Sequence, residues 1–501
     1  MFKIFCFIKA QNYTIITIHN YTQTQQLHNK SIKIEQDLDL SIAITNHNYT
    51  QNKKLHNKNI KIQHDSELSI SLPRHIFLGR VLQKRKALTG VELGVQRGIF
   101  SKNILSQWPN AQQYLLVDLW KPMTNYVDSA NVNSQQANSI FKEALENTRQ
   151  WNVKICRNLT SECAKIYHNS LYDFIYVDAR HDYNGVYEDL KNWFPKLTKN
   201  GIIAGHDYMT AGQQSKLRPS DKWEINGDGS IDITKRSVLG AVDDFFGLMN
   251  YPLQIIDTKN NWKTWLVDTS NEYPSSHIPS RFHFIWVSCK WHEKQEPIPE
   301  EVLARIDQWK RMYPTWYIVV WTNVLIEEHF PVLYKLFQKI NTEAWVSDIL
   351  RYHVIAKYGG IYLDTDIIPL RKIPSDLLKT TFTVCERPRD TTSQKCFLAC
   401  NAIIASTYEH PEIKVIAQKA VDVTKQKINQ KHQSHSNRYD VALTGPRLWS
   451  EYLKNSTSTI TTLTSKTFYP CDWKDRTLCK KDKYIHDYNV FAMHLWKHSW
   501  A

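Results

Sequence analysis

From Ser71 onward, short apolar runs alternate with stretches of helical character, and few folds accommodate that rhythm. The runs are residues 88–93 (LTGVEL), 114–119 (YLLVDL), 172–178 (YDFIYVD) and 201–205 (GIIAG). Strands of this length separated by helices predict an α/β fold with a parallel, doubly wound sheet. The Pro- and Ser-rich segment 274–280 (PSSHIPS) reads as part of a linker, and a second α/β pattern runs from Arg281 to the C-terminus. The expected organisation is a polar extension over 1–72, one domain over 73–270, a linker over 271–280 and a second domain over 281–501.

The length of 501 residues suits two or three domains. The formal charge of +14 is spread over scattered Lys and Arg with no dense basic run. That argues against a nucleic-acid partner and fits a basic surface that tolerates pyrophosphate-bearing ligands. Nine cysteines are too few for a disulfide scaffold at this size, although Cys385, Cys396 and Cys400 cluster, as do Cys471 and Cys479. Local bridges and reduced, buried thiols are both compatible with that spacing. No apolar run reaches the roughly 20 residues that span a bilayer. Residues 1–9 (MFKIFCFIK) make a poor secretory signal. Sequons such as Asn158-Leu-Thr160 matter only in a secretory lumen. The compartment, cytoplasmic or Golgi/secretory, stays open, as does the oligomeric state.

Residues 11–72 contain a duplication: HNYTQ begins at His19 and at His47, and LHNK-[SN]-IKI begins at Leu27 and at Leu55, a period of 28 residues. Two copies are too few to stack as a solenoid. The segment's Asn, Gln, Lys and His content predicts a weakly structured extension, with a small β-rich cap as the alternative.

Within the first domain, Glu92, Gly94 and Gly98 form an ExGxxxG turn between a predicted strand and helix. Glycines there let backbone approach a cofactor, and the helix start offers free N–H groups. Asp118 ends the next strand, 24 residues after Gly94, where an acid can accept from ribose hydroxyls. With Ile175-Tyr-Val-Asp-Ala-Arg-His-Asp-Tyr183 and Lys199-Asn-Gly-Ile-Ile-Ala-Gly-His-Asp-Tyr208, residues 75–267 resemble the class I methyltransferase superfamily, in particular its small-molecule and sugar O-methyltransferases. The resemblance implies S-adenosylmethionine bound by Glu92, Gly94 and Asp118, with Asn158–Ser161 near the adenine. It also implies a Mg2+ ion at Asp178 and Asp207. Where relatives have paired aspartates, this chain has His206-Asp207. His181 is a candidate general base or a structural histidine, since its ordinary pKa lies near neutrality.

The densest constellation is Ser347-Asp-Ile-Leu-Arg-Tyr352 followed by Tyr358-Gly-Gly-Ile-Tyr-Leu-Asp-Thr-Asp366. Asp348 and Arg351 share a helix face. Gly359-Gly360 stops the helix, and a strand leads to Asp364 and Asp366, whose carboxylates can turn toward one cation. Residues 281–501 resemble the DXD-containing sugar transferases of the capsular-polysaccharide and yeast outer-chain mannosyltransferase type, whose fold is GT-A. Phe282–Val287, Asn401–Ile404, Thr444-Gly-Pro446 and His494–Trp500 match further segments of that family. The resemblance implies that Asp348, Arg351 and Asn401 face the donor sugar and that Trp286 and Tyr362 lie at the base. It implies that Asp364, Asp366 and His494 hold Mn2+ or Mg2+, and that Ser499 and Trp500 close over the site.

These readings predict a bifunctional enzyme. One half transfers a sugar from a nucleotide-sugar donor to a glycan or glycoconjugate acceptor, with retention. The other half methylates a sugar hydroxyl. Two alternatives stand beside it: a glycosyltransferase with a non-catalytic, methyltransferase-like binding module, and a lectin-like or toxin-like protein that modifies a host protein.

Overall fold

The computed structural model describes residues 2–10, 13–21, 72–256, 262–273, 277–293, 295–388, 396–431, 443–455, 458–471 and 481–497. At the N-terminus, β1 (Phe2–Ala10) and β2 (Tyr13–Tyr21) pair antiparallel. Most of the duplicated 28-residue unit lies outside the described residues.

A seven-stranded sheet follows, built from β3 (Thr89–Leu93), β4 (Gln113–Asp118), β5 (Val153–Arg157), β6 (Tyr172–Val177), β7 (Leu197–Gly205), β8 (Leu253–Ile256) and β9 (Thr264–Asp268). Its order is β5-β4-β3-β6-β7-β9-β8, with β3 to β7 parallel and β8 and β9 antiparallel. Strand alternation divides the apolar side chains between two faces. Val91, Leu93, Leu115, Val117, Ile175 and Val177 join one core, and Leu116, Phe174, Tyr176, Ile202 and Ala204 join the other. Both faces are covered by helices, including α1 (Arg74–Lys84), α2 (Ile99–Ser106), α3 (Ser134–Thr148), α4 (Thr160–Ala164), α5 (Tyr183–Trp193), α6 (Ala211–Leu217) and α7 (Ser237–Phe246). Chain order reverses between β3 and β6, the place where open α/β sheets leave a crevice beyond their strand ends.

The second sheet comprises β10 (Arg281–Ile285), β11 (Tyr317–Trp321), β12 (Gly360–Leu363), β14 (Phe382–Pro388), β15 (Cys396–Ser406) and β16 (Thr461–Leu463), and it runs β11-β10-β12-β15-β14-β16. A separate ladder joins β13 (Ile367–Pro369) to β17 (Ala492–His494). Phe282, Phe284, Ile318, Val320, Ile361 and Leu363 pack on one face; Ile285, Val319, Trp321, Tyr362 and Ile404 pack on the other. Helices α8 (Glu300–Met312), α9 (Asn323–His329), α10 (Pro331–Phe337), α11 (Glu343–Tyr358), α12 (Pro411–Lys431) and α13 (Pro446–Asn455) surround it. The α/β class expected from the sequence is the one found.

The two sheets meet through a buried polar seam that the sequence did not announce. Asp243 on α7 is fully buried and accepts from Lys310 Nζ on α8 at 3.2 Å and from the Ile318 amide at 3.0 Å. The Tyr208 hydroxyl donates to the same carboxylate and accepts from Lys310. Arg236 binds Asp244 and reaches the Ile318 carbonyl. Tyr317 packs into the core of the first sheet and donates to the Tyr251 carbonyl at 2.8 Å.

Candidate active sites

The first site is a cavity of about 820 Å³ beyond the ends of β3, β4, β6 and β7. Glu92, Gly94, Asp118 and Ser161 line it, as do Asp178, His181 and Asp207. Gly94 takes φ +85°, and an added Cβ would lie 2.0 Å from the Asp178 carbonyl oxygen, so only glycine fits. Gly98, expected to bind cofactor, is not part of this wall. It begins α2 at φ +70° and meets the Ala144 backbone of α3. Asp118 is held by the amides of Gln96 and Trp120, both at 2.8 Å. Glu92 points into the core, where Ser101 donates at 2.5 Å and Tyr114 at 3.3 Å. Burial pushes its carboxyl up to about 8.

Within this cavity, Asp178, His181 and Asp207 each offer a ligand atom within 4.8 Å of the others. His181 Nε2 stands 3.2 Å from Asp207 Oδ2 and 3.6 Å from Asp178 Oδ1. Its Nδ1 faces Asp128 Oδ2 at 3.0 Å and the Tyr126 hydroxyl at 3.1 Å. The ring stacks on Trp223 at 4.5 Å, and Trp223 Nε1 donates to Asp128 at 2.9 Å. Burial alone would lower the His181 pKa; Tyr126 and the three carboxylates instead hold it well above the ordinary value. Asp207 occupies left-handed backbone at φ +59°, a conformation that clusters at functional sites. Its carboxyl lies below the usual range because His181 and His206 outweigh its burial. Asp128, Tyr126 and Trp223 sit in connecting segments without a motif, and sequence reasoning missed them.

A disulfide joins Cys156 to Cys163 and brackets the cavity-lining segment Asn158–Ser161. Cys385 and Cys471 are also disulfide-bonded, whereas Cys289 is a free thiol.

The second site lies where α11, β12 and β17 converge. Arg351, buried on α11, stands with Nη2 3.2 Å from Asp348 Oδ1 and Nη1 3.2 Å from Asp364 Oδ1. Nη1 also donates to the Asn401 carbonyl at 2.9 Å, and the guanidinium covers the Tyr362 ring at 4.7 Å. The Tyr362 hydroxyl donates to Asp364 at 2.6 Å. Tyr362, expected at the nucleotide base, is only 2% exposed, so its visible part is to orient Asp364 and support Arg351. Asn401 is likewise buried, donating from Nδ2 to Asp348 at 2.9 Å and to Tyr352 at 3.0 Å. Burial raises Asp348 to about 6, against the pull of Arg351. Asp364 is the most open of the set, with 28% of its side chain exposed.

Asp366 completes the turn. His494 Nε2 on β17 lies 3.0 Å from its Oδ1, and the Lys497 amide donates to Oδ2 at 2.8 Å. Burial would raise Asp366, but His494 holds it below its ordinary value. Asp364, Asp366 and His494 offer three ligand atoms within 4.8 Å of one another. The turn is anchored from α8: Arg305 donates to the Thr365 carbonyl and Trp309 to the Ile367 carbonyl, both at 2.9 Å. Trp286 follows β10, half-buried, with its amide donating to the Trp321 carbonyl at 2.9 Å. Ser499 and Trp500 lie outside the described residues. Among the described residues no helix is long and apolar enough to cross a membrane.

Comparisons agree with this geometry in two separate stretches. Residues 299–383 match a family model described as a glycosyltransferase sugar-binding region containing a DXD motif. Residues 91–208 match one described as a methyltransferase domain. The mannosyl phosphorylinositol ceramide synthase CSH1 of Saccharomyces cerevisiae is 27% identical over 125 residues, covering 23% of this chain and 31% of the relative. The inositol phosphoceramide mannosyltransferase 1 of Schizosaccharomyces pombe is 28% identical over 122 residues, covering 23% and 36%. The alignments thus span about a third of each relative's length. The solved N-methyltransferase NodS of Bradyrhizobium japonicum aligns at 12% identity with a TM-score of 0.27, covering 40% of this chain and 86% of that one. The chain therefore carries one stretch similar to methyltransferase domains, over residues 91–208, and another similar to DXD-containing glycosyltransferase regions, over residues 299–383.

Proposed function

We propose that this protein is a bifunctional glycan-modifying enzyme, organised as a methyltransferase domain over 73–270 and a GT-A glycosyltransferase domain over 281–501. The observation that carries the reading is the convergence of Asp364, Asp366 and His494 beside the Asp348–Arg351 pair.

In the second half, two carboxylates and an imidazole make a donor set that suits Mn2+, with Mg2+ the harder alternative. Such an ion, when bound, supplies charge neutralisation for a departing nucleoside diphosphate. Arg351 and Tyr362 hold Asp364 in place and aimed, and the Arg305 contact fixes the turn between the two aspartates. Asp348 is tied to Asn401 and Arg351, so no free carboxylate stands ready as a covalent nucleophile. With retention, as the family resemblance implies, that favours attack on the face the diphosphate leaves over a covalent double displacement. The relatives are named for mannosyl transfer, so GDP-mannose is the first donor to test, followed by UDP-glucose, UDP-galactose and UDP-N-acetylglucosamine.

In the first half, Gly94, Asp118 and Ser161 would cradle S-adenosylmethionine, which supplies a methyl group on a sulfonium. The acceptor, a sugar hydroxyl, would lose its proton at the Asp178–His181–Asp207 cluster, helped by a cation held there, such as Mg2+. The disulfides favour an oxidising, secretory compartment over the cytoplasm.

Nucleotide release with manganese present tests the glycosyltransferase reading. Asp364→Asn and Asp366→Asn should each abolish transfer and donor hydrolysis while leaving the circular dichroism spectrum intact; undiminished turnover in both rejects it. Calorimetry with S-adenosylmethionine tests the other half. Absence of binding would reduce the first domain to a non-catalytic module.

A further inference from the structure

The Asp178–His181–Asp207 cluster differs in kind from an all-oxygen Mg2+ site, and what distinguishes it is His181. The imidazole is fixed by an edge contact and a face contact, and the edge contact is itself held. Asp128 stands 3.0 Å from Nδ1, Trp223 stacks on the ring, and Trp223 Nε1 holds the Asp128 carboxylate in place. A carboxylate on Nδ1 selects the tautomer that carries its proton there and leaves a lone pair on Nε2. That Nε2 atom is buried, makes no well-directed hydrogen bond, and lies among carboxylate oxygens 3.2 and 3.6 Å away. A lone pair among carboxylates with nothing to accept from is a metal-ligand arrangement. The order carboxylate, histidine, open ligand position is the one by which proteins orient metal-binding imidazoles.

We propose that His181 Nε2 is a metal ligand together with Asp178 and Asp207, and that the site takes a divalent transition-metal ion in preference to Mg2+. This rests on the methyltransferase reading and refines it. It removes His181 from the role of general base and makes Asp128 a positioning residue acting through it. Mg2+ is hard, takes oxygen ligands and keeps its waters, whereas an imidazole nitrogen favours zinc, cobalt, nickel or iron. The competing arrangement is metal-free, with a protonated His181 bridging the carboxylates.

The probe is Co2+, titrated into the full-length protein carrying Asp364→Asn and Asp366→Asn, so that the second cluster is disabled. The readout is visible d–d absorption, independent of turnover. The expected result is one equivalent of bound Co2+ whose band survives a large excess of Mg2+. His181→Gln should abolish the band, and Asp128→Asn should weaken Co2+ binding about 10–100-fold. S-adenosylmethionine calorimetry on each variant reports folding of the cavity. Protein that binds S-adenosylmethionine but gives no Co2+ band overturns the metal assignment and leaves the methyl-donor reading standing. A band that persists in His181→Gln, or that Mg2+ displaces at equal concentration, overturns the ligand and the selectivity respectively. Co2+ bound by protein that ignores S-adenosylmethionine supports the metal site and sinks the methyl-donor reading instead.

Discussion

Arg305 donates from Nε to the carbonyl of Thr365 across 2.9 Å, so the residue between the two aspartates of the DXD turn is pinned by a helix 60 positions earlier. A hydrogen bond from a charged donor contributes about 1.5–3 kcal/mol. Arg305→Met keeps most of the packing and removes the pin. Manganese affinity, read by titration calorimetry, should fall about 10–100-fold, as for other residues that support metal ligands indirectly. Unchanged affinity would mean the turn holds itself.

Gly94→Ala places a Cβ against the Asp178 backbone and forces a side chain into positive φ. The strained backbone alone costs about 1–3 kcal/mol. The melting temperature should drop, and S-adenosylmethionine binding should be lost more completely than after Gly98→Ala, because Gly98 lies off the cavity wall. Equal loss from both variants would contradict the placement of the cavity.

Asp243→Ala leaves the Lys310 ammonium buried between the sheets without its partner. Breaking a buried pair this way costs about 3–5 kcal/mol. Denaturant midpoints should fall sharply for Asp243→Ala and recover in part in Asp243→Ala/Lys310→Met. A single variant as stable as the double would show that the pair is not coupled.

Asp189 provides a pH test behind the wall of the first cavity, where it accepts from Thr160. Burial raises its carboxyl to about 7, although Thr160 donates to it. A folded pKa above the unfolded one means that its contribution is full below the ordinary carboxylate range and is lost as pH rises through about 7. Thermal stability of the wild type should therefore decline between pH 5 and pH 8 more steeply than that of Asp189→Asn. Parallel profiles would remove Asp189 as the cause.

What the sequence disclosed follows the range of its signals. Short, near-continuous apolar runs ending in Leu93, Asp118 and Val177 marked the first sheet, because strands buried on both faces admit little else. Asp348, Arg351, Asp364 and Asp366 were legible because helix spacing and a short helix–strand connection bring them together locally. Asp128, Trp223 and Arg305 were not, since each reaches its partner across dozens of residues and lies in no motif. The family resemblance implies a place at the base for Tyr362, and only packing shows that its ring is covered by Arg351. The Lys310–Asp243 seam escaped notice because a lone lysine in an amphipathic helix reads as solvent-facing.

The bridge between Cys156 and Cys163 bears on how the chain is made for assay. A host with a reducing cytosol would yield molecules whose cofactor wall lacks its tie, so a missing methyl-transfer signal from such material would say nothing about the enzyme. A eukaryotic secretory host that oxidises thiols also attaches carbohydrate to Asn-X-Thr sites, and Asn158 is exposed on that same wall. Expression in an oxidising bacterial periplasm supplies the bridge without the sugar, and there the first half can be judged.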